Sequence, residues 1–259
     1  MTNPFDAVID NIKAMGYHNQ RLQTHSDIVS EGILTDLIEK CPNIKKDFEN
    51  NEIKSWYNIN TPGARSRKID LLIGKQQQDG SPNLSELRIC LENKSVITAH
   101  RNRDARYDDL NESLQVLHKE KPEAILLATV IVGTCDMVLN VPDRVKPFYK
   151  NKIEEFESSV VPRLSSGDES LLTEFAWAIS NNRPKDPENT IKKFNELPKR
   201  ESSHTHIEGY DFILQVPVSI DNIHPPELKR ENTLGIDIDK EYEHMINHIC
   251  KTYNARWHI

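Results

Sequence analysis

Phe5, Val8, Ile9 and Ile12 recur at intervals of three and four residues behind an Asn3-Pro4 start, a spacing that predicts a helix stopped near Gly16. A second helix is expected from about Ser26 to Lys40, with Val29, Ile33, Leu34, Leu37 and Ile38 as its apolar stripe and Pro42 just beyond its end. Glu31 lies at the edge of that stripe. The period then shortens. Ile53 to Ile59, Lys68 to Gly74 and Leu84 to Glu92 are strands, separated by a Thr61-Pro62-Gly63 turn and by a polar loop from Lys75 to Asn83. The last two should pair as a hairpin.

A helix from about Asp104 to Lys119 carries Tyr107, Leu110, Leu114 and Leu117 on one face, and leads into Ala124 to Val132, a β-branched apolar run expected as a buried central strand. Hairpin, helix and buried strand together predict an α/β core over residues 1–142, a mixed sheet flanked by helices. Beyond Pro142 the spacing turns helical, at Tyr149, Ile153, Phe156 and Val160, at Leu171, Leu172, Phe175 and Ile179, and at Ile191 and Phe194. A loop from Lys199 to Glu208, a strand from Tyr210 to Val218 and a closing helix from Ile238 to Tyr253 complete a largely helical 143–259 part, either separate from the core or continuous with it.

Composition narrows the class. With 37% hydrophobic and 28% charged residues the chain can bury a sizeable core. Its N-terminus lacks the basic start and apolar stretch of a signal peptide, and the longest apolar run, Ala124 to Gly133, is half of the roughly twenty residues a bilayer span needs. Cys41, Cys90, Cys135 and Cys250 lie far apart, which predicts four reduced thiols and a cytoplasmic protein. Net charge is −7, yet residues 64–106 hold nine basic against five acidic side chains.

That basic stretch encloses the candidate chemistry. Glu92 and Lys94 alternate with Asn93 along a strand, so they share one face, and Asp70 on the partner strand is expected beside Glu92. Two carboxylates and a lysine suit phosphodiester cleavage: the carboxylates hold Mg²⁺, and the ammonium positions or deprotonates the nucleophile or stabilises developing charge. Arg65, Arg67 and Lys68 before the site, and His100, Arg101, Arg103 and Arg106 after it, are candidate phosphate contacts. Lys199, Arg200, His204 and His206 form a candidate recognition loop. His244 and His248, with Cys250 and His258 nearby, do not make a zinc-protease motif, and no Gly-rich phosphate loop of the nucleotide-hydrolase type occurs.

Lys68-Ile69-Asp70-Leu71-Leu72-Ile73 and Leu91-Glu92-Asn93-Lys94, behind a helix carrying Glu31 and ahead of a helix and a buried strand, resemble the PD-(D/E)xK nuclease superfamily and, within it, the type II restriction endonucleases. The likeness covers about residues 20–133 and departs from the full signature in having Ile69 where that has proline. It implies a restriction-endonuclease-like core, Asp70, Glu92, Lys94 and Glu31 as catalytic groups, Asp70, Glu92 and Asn93 around Mg²⁺, double-stranded DNA as substrate, a homodimer, and a cognate DNA methyltransferase in the same system. Two alternatives stay open: another nuclease of the superfamily, structure-specific or antiviral, and a non-catalytic DNA-binding protein on the same scaffold.

Overall fold

A computed structural model of the chain describes residues 3–15, 23–61, 68–98, 100–140, 178–201, 204 and 207–258, with a few positions between 155 and 170. Helices α1 (Pro4–Met15), α2 (Gln23–Lys40) and α3 (Pro42–Glu49) precede strands β1 (Lys54–Asn60), β2 (Lys68–Gln76) and β3 (Pro82–Val96). Helix α4 (Arg103–Glu120), β4 (Ile125–Gly133), β5 (Met137–Asn140) and β6 (Ala178–Asn181) follow, then α5 (Asp186–Asn195), β7 (Phe212–Ser219), β8 (Glu227–Leu228) and α6 (Ile238–Trp257).

Six strands form one mixed sheet in the order β1-β2-β3-β4-β7-β8, and β5 pairs with β6 in a small second sheet. The expected hairpin is present: β2 and β3 run antiparallel with Leu71 opposite Leu91 and Leu72 opposite Cys90. Because α4 carries the chain back across the sheet, β3 and β4 lie parallel, with Lys94 in register with Val130.

The apolar run of β4 is explained by burial on both faces. Ile125 and Leu127 join one core with α1, α2 and α6, whereas Leu126, Ala128 and Val130 join another with Leu110, Leu114 and Leu117 of α4 and Ile191 and Phe194 of α5. The result is helices on both sides of a mixed sheet. Gly32 permits a close approach on the first side, since a Cβ there would stand 2.5 Å from Pro4 Cβ.

Several expectations need correction. Pro42 does not merely end α2; it opens α3, because proline's missing N–H costs nothing in a first helical turn. Ala178–Asn181 is a strand, not the end of a helix containing Ile179, since it pairs along β5. The helical runs around Tyr149–Val160 and Leu171–Phe175 fall outside the described residues. Among the described residues after 143, β7 pairs with β4, and Tyr242, Met245 and Ile249 of α6 lie in the core that holds Leu71 and Leu91.

The four cysteines are not all reduced. Packing of α6 against the α2–α3 junction brings the Cα atoms of Cys41 and Cys250 to 5.2 Å, and a disulfide joins them; Cys90 and Cys135 are free thiols. This removes the thiol argument for a cytoplasmic location. Among the described residues, no helix is long and apolar enough to cross a membrane.

Candidate active site

β2 and β3 place the acidic residues, and a local irregularity sets their directions. Ile69 packs in the same core as Leu72, while Leu71 packs in the opposite one, so strict alternation breaks around Asp70. On β1, Asn58 adopts a left-handed φ of 58°, and the pairing skips from Tyr57–Leu71 to Ile59–Ile69. Asp70 therefore turns toward α2. Its Oδ1 accepts from Ser26 Oγ at 2.8 Å, and its Oδ2 from the Asn93 backbone N–H at 2.7 Å.

Glu92 shares its face with Cys90, on the side of the sheet covered by α4. It is only 3% exposed, and one oxygen meets Lys94 Nζ at 2.5 Å. Burial pushes the Glu92 carboxyl above its usual range; Lys94 pulls it back down, and the Asp70 charge adds a smaller upward push. The other carboxylate oxygen, Oε1, is buried on the α4 side, where the Ser113 hydroxyl also lowers the Glu92 pKa. Asp70 and Glu92 are thus electrostatic neighbours, and of the two only Asp70 lines the cleft described next.

Ser26, Lys68, Asp70, Asn93, Lys94 and Arg106 line an open cleft of about 370 Å³ at the ends of β2 and β3. Lys68 hydrogen-bonds to Gln23 at 3.1 Å, and Arg106 pairs with Asp109 at 2.8 Å. Both are exposed on the cleft's rim.

The other sequence candidates scatter. Glu31 is exposed and outside the cleft lining, and its charge acts on Tyr57 of β1, whose phenol is raised first by burial and then by Glu31 and Asp27. Arg101 is exposed, and half-buried Arg103 pairs with Asp104. Arg65, Arg67 and His206 lie outside the described residues. His100 is buried, its Nδ1 2.6 Å from Thr190 Oγ1 and its Nε2 3.1 Å from the Gly133 carbonyl, so it braces a loop and does not face a ligand.

The recognition loop also needs correction. Arg200 is fully buried, pairs with Asp211 at 3.2 Å and hydrogen-bonds to the carbonyls of Pro122 and Ala124. It locks the start of β4. Val130, level with Lys94, is six residues further along that strand, a rise of about 20 Å. Lys199, exposed and bonded to Asn195, and half-buried His204 flank Arg200 in sequence at this far end. Cys250 is in the disulfide and His258 binds Asp47, so no zinc group forms with His244 and His248.

Sequence reasoning missed Ser26, Ser30 and Thr129, which surround the Asn93 amide. Two signals were available. Ser26 and Ser30 stand four residues apart beside the apolar stripe of α2, and Thr129 interrupts an otherwise apolar strand.

The donor set fits a hydrated Mg²⁺. Among the described residues no three His, Cys, Asp or Glu side chains gather as a metal cage. Mg²⁺ needs no such cage, since it keeps several waters and is held by one or two carboxylates together with substrate phosphate. The Asp70 carboxylate, which lines the cleft, is the group that would hold it; Glu92 is buried behind the cleft wall against Lys94. The Asn93 amide would not, because both its ends are engaged by Ser26, Ser30 and Thr129.

No known protein family, curated protein or solved structure gives a match to this chain.

Proposed function

We propose that the chain is a Mg²⁺-dependent endonuclease of double-stranded DNA with a restriction-endonuclease-like core, working as a homodimer in the manner of a type II restriction enzyme. The observation that carries this reading is the placement of Asp70, Glu92 and Lys94 at one end of a β-hairpin, with Asp70 and Lys94 in a cleft whose rim bears Lys68 and Arg106. Basic side chains hold the phosphates over the carboxylates, which would otherwise repel them.

Lys94 supplies a cationic donor inside the cleft. From its place against Glu92 it donates hydrogen bonds to a phosphate oxygen, stabilising charge as the bond to the leaving oxygen breaks. Asp70, held by two donors, presents its remaining lone pairs in one orientation. Mg²⁺ held by Asp70 would supply Lewis-acid activation of the phosphate and an acidified water. The dimer and a cognate methyltransferase belong to the same reading, because cutting both strands of one site calls for two active centres.

A second reading, a DNA-binding protein that does not cut, draws on the closed Glu92–Lys94 pair. Incubating the chain with duplex DNA and Mg²⁺ and sequencing the resulting ends separates the two. Ends at one fixed motif are expected. Ends at scattered positions would favour a structure-specific or antiviral nuclease, and intact DNA would favour the second reading.

A further inference from the structure

Asn93 projects to the face opposite Glu92 and Lys94, where its amide occupies a polar enclave between α2 and β4. Its Nδ2 lies 2.9 Å from Ser26 Oγ, 2.9 Å from Ser30 Oγ and 3.1 Å from the Ser26 backbone carbonyl. Its Oδ1 accepts from Thr129 Oγ1 at 2.7 Å. Thr129 and Ser30 are each 1% exposed, and half-buried Ser26 and Asn93 join them at the cleft wall.

The backbone carbonyl of Ser26 fixes how the Asn93 amide is turned. A carbonyl only accepts, so the amide must turn its NH₂ toward α2 and its oxygen toward Thr129. Ser26 Oγ, accepting from that NH₂, is left with its own proton to donate, and the group that receives it is Asp70 Oδ1. The second oxygen of Asp70 is held by the Asn93 backbone N–H. A single hydrogen-bond direction therefore runs from Thr129 through Asn93 and Ser26 to Asp70, and both ends of the carboxylate are gripped as acceptors.

The geometry points to Ser26 as a positioning residue for the reaction, the last link of a one-way hydrogen-bond chain from Thr129 and Asn93 that orients the Asp70 carboxylate for metal and phosphate. The inference rests on the nuclease reading above. Ser26 touches no reacting atom; it acts through Asp70. Groups that orient a metal-ligating carboxylate in this way change metal affinity or activity by about 10–100-fold when removed.

The test compares wild type with Ser26→Ala, Ser26→Thr and Thr129→Val, using three readouts: Mn²⁺ binding to the DNA-free protein by titration calorimetry, kcat and KM for plasmid cleavage, and the thermal melt. Ser26→Ala is expected to bind Mn²⁺ about 10-fold more weakly and to lose kcat by a similar factor. Its KM for DNA and its melting temperature should stay near wild type. Ser26→Thr, which keeps the hydroxyl, should restore both losses, and Thr129→Val should show a weaker form of the same defect. Wild-type Mn²⁺ affinity and kcat in Ser26→Ala would overturn the inference alone. So would a Ser26→Ala defect that follows the melting temperature and is not rescued by threonine. A wild-type protein that neither binds Mn²⁺ nor cuts DNA would overturn the nuclease reading, and the inference with it.

Discussion

The Lys94 ammonium neutralises a carboxylate that burial drives toward its protonated form. Removing one partner of a buried ion pair leaves the other uncompensated, so Lys94→Ala should cost about 3 kcal/mol of stability at neutral pH in addition to its loss of cleavage. The loss depends on pH. Glu92 has a raised pKa in the folded state against an ordinary value of 4.5, so the stability linked to its proton is complete below that value and disappears as pH rises through the folded-state pKa. Without Lys94 that pKa climbs further. The gap in melting temperature between Lys94→Ala and wild type should therefore widen as pH rises above the ordinary Glu value of 4.5 and close in the double variant with Glu92→Gln. A gap of constant size would show that Glu92 is not what Lys94 compensates. Arg200 follows the same rule at the other end of the sheet. Arg200→Ala should lower stability by about 3–5 kcal/mol, measured by denaturant unfolding, because Asp211 is left buried with Arg256 as its remaining cationic partner. Altered ranking of DNA sites without loss of stability would return Arg200 to a recognition role.

At the scale of elements, the cleft is the space between the start of α2, the ends of β2 and β3 and the first turn of α4, so its charge comes from residues distant in sequence. Lys68→Ala and Arg106→Ala should each reduce the salt dependence of DNA binding, flattening the slope of log affinity against log salt by about 0.9 per lost phosphate contact. Fluorescence anisotropy over a salt series measures this, and unchanged slopes would place the DNA elsewhere. These elements were readable from the chain because each has a strong period: the run Ile69 to Ile73, the alternation up to Glu92, and the stripe of α4. What the period could not convey was direction at an irregular position. The switch of cores between Ile69 and Leu71, where Asp70 turns toward α2, lies opposite the left-handed Asn58 of a neighbouring strand. Nor could composition show that Arg200, in a polar stretch, is buried by an acid eleven residues away, or that Pro42 starts a helix. Glu31 looked like a site residue because it occurs on the right helix; the turn of α2 that meets the sheet carries Ser26 and Ser30 instead.

For the whole molecule, α6 closes the first core and the disulfide fastens it, joining residues 209 positions apart. A cross-link spanning so long a loop restricts the unfolded chain strongly, and its removal typically costs about 2–5 kcal/mol. Cys250→Ser, or wild type under reducing conditions, should melt at a lower temperature and still cut DNA once folded, since neither cysteine lines the cleft. An unchanged melt would mean that the two thiols are not joined in solution. The same scale sets the charge balance: a chain of net charge −7 gathers positive side chains around one cleft, which on the proposed reading would orient a polyanion toward Asp70 and Lys94. The most direct measurement of the central claim is conversion of supercoiled plasmid by wild type, Asp70→Asn and Lys94→Ala, each with Mg²⁺ and with a chelator, beside a melt of each protein. Wild type is predicted to cut only with Mg²⁺, and both variants to remain folded and leave the plasmid intact. Undiminished cutting by either folded variant, or no cutting by wild type with Mg²⁺, would contradict it.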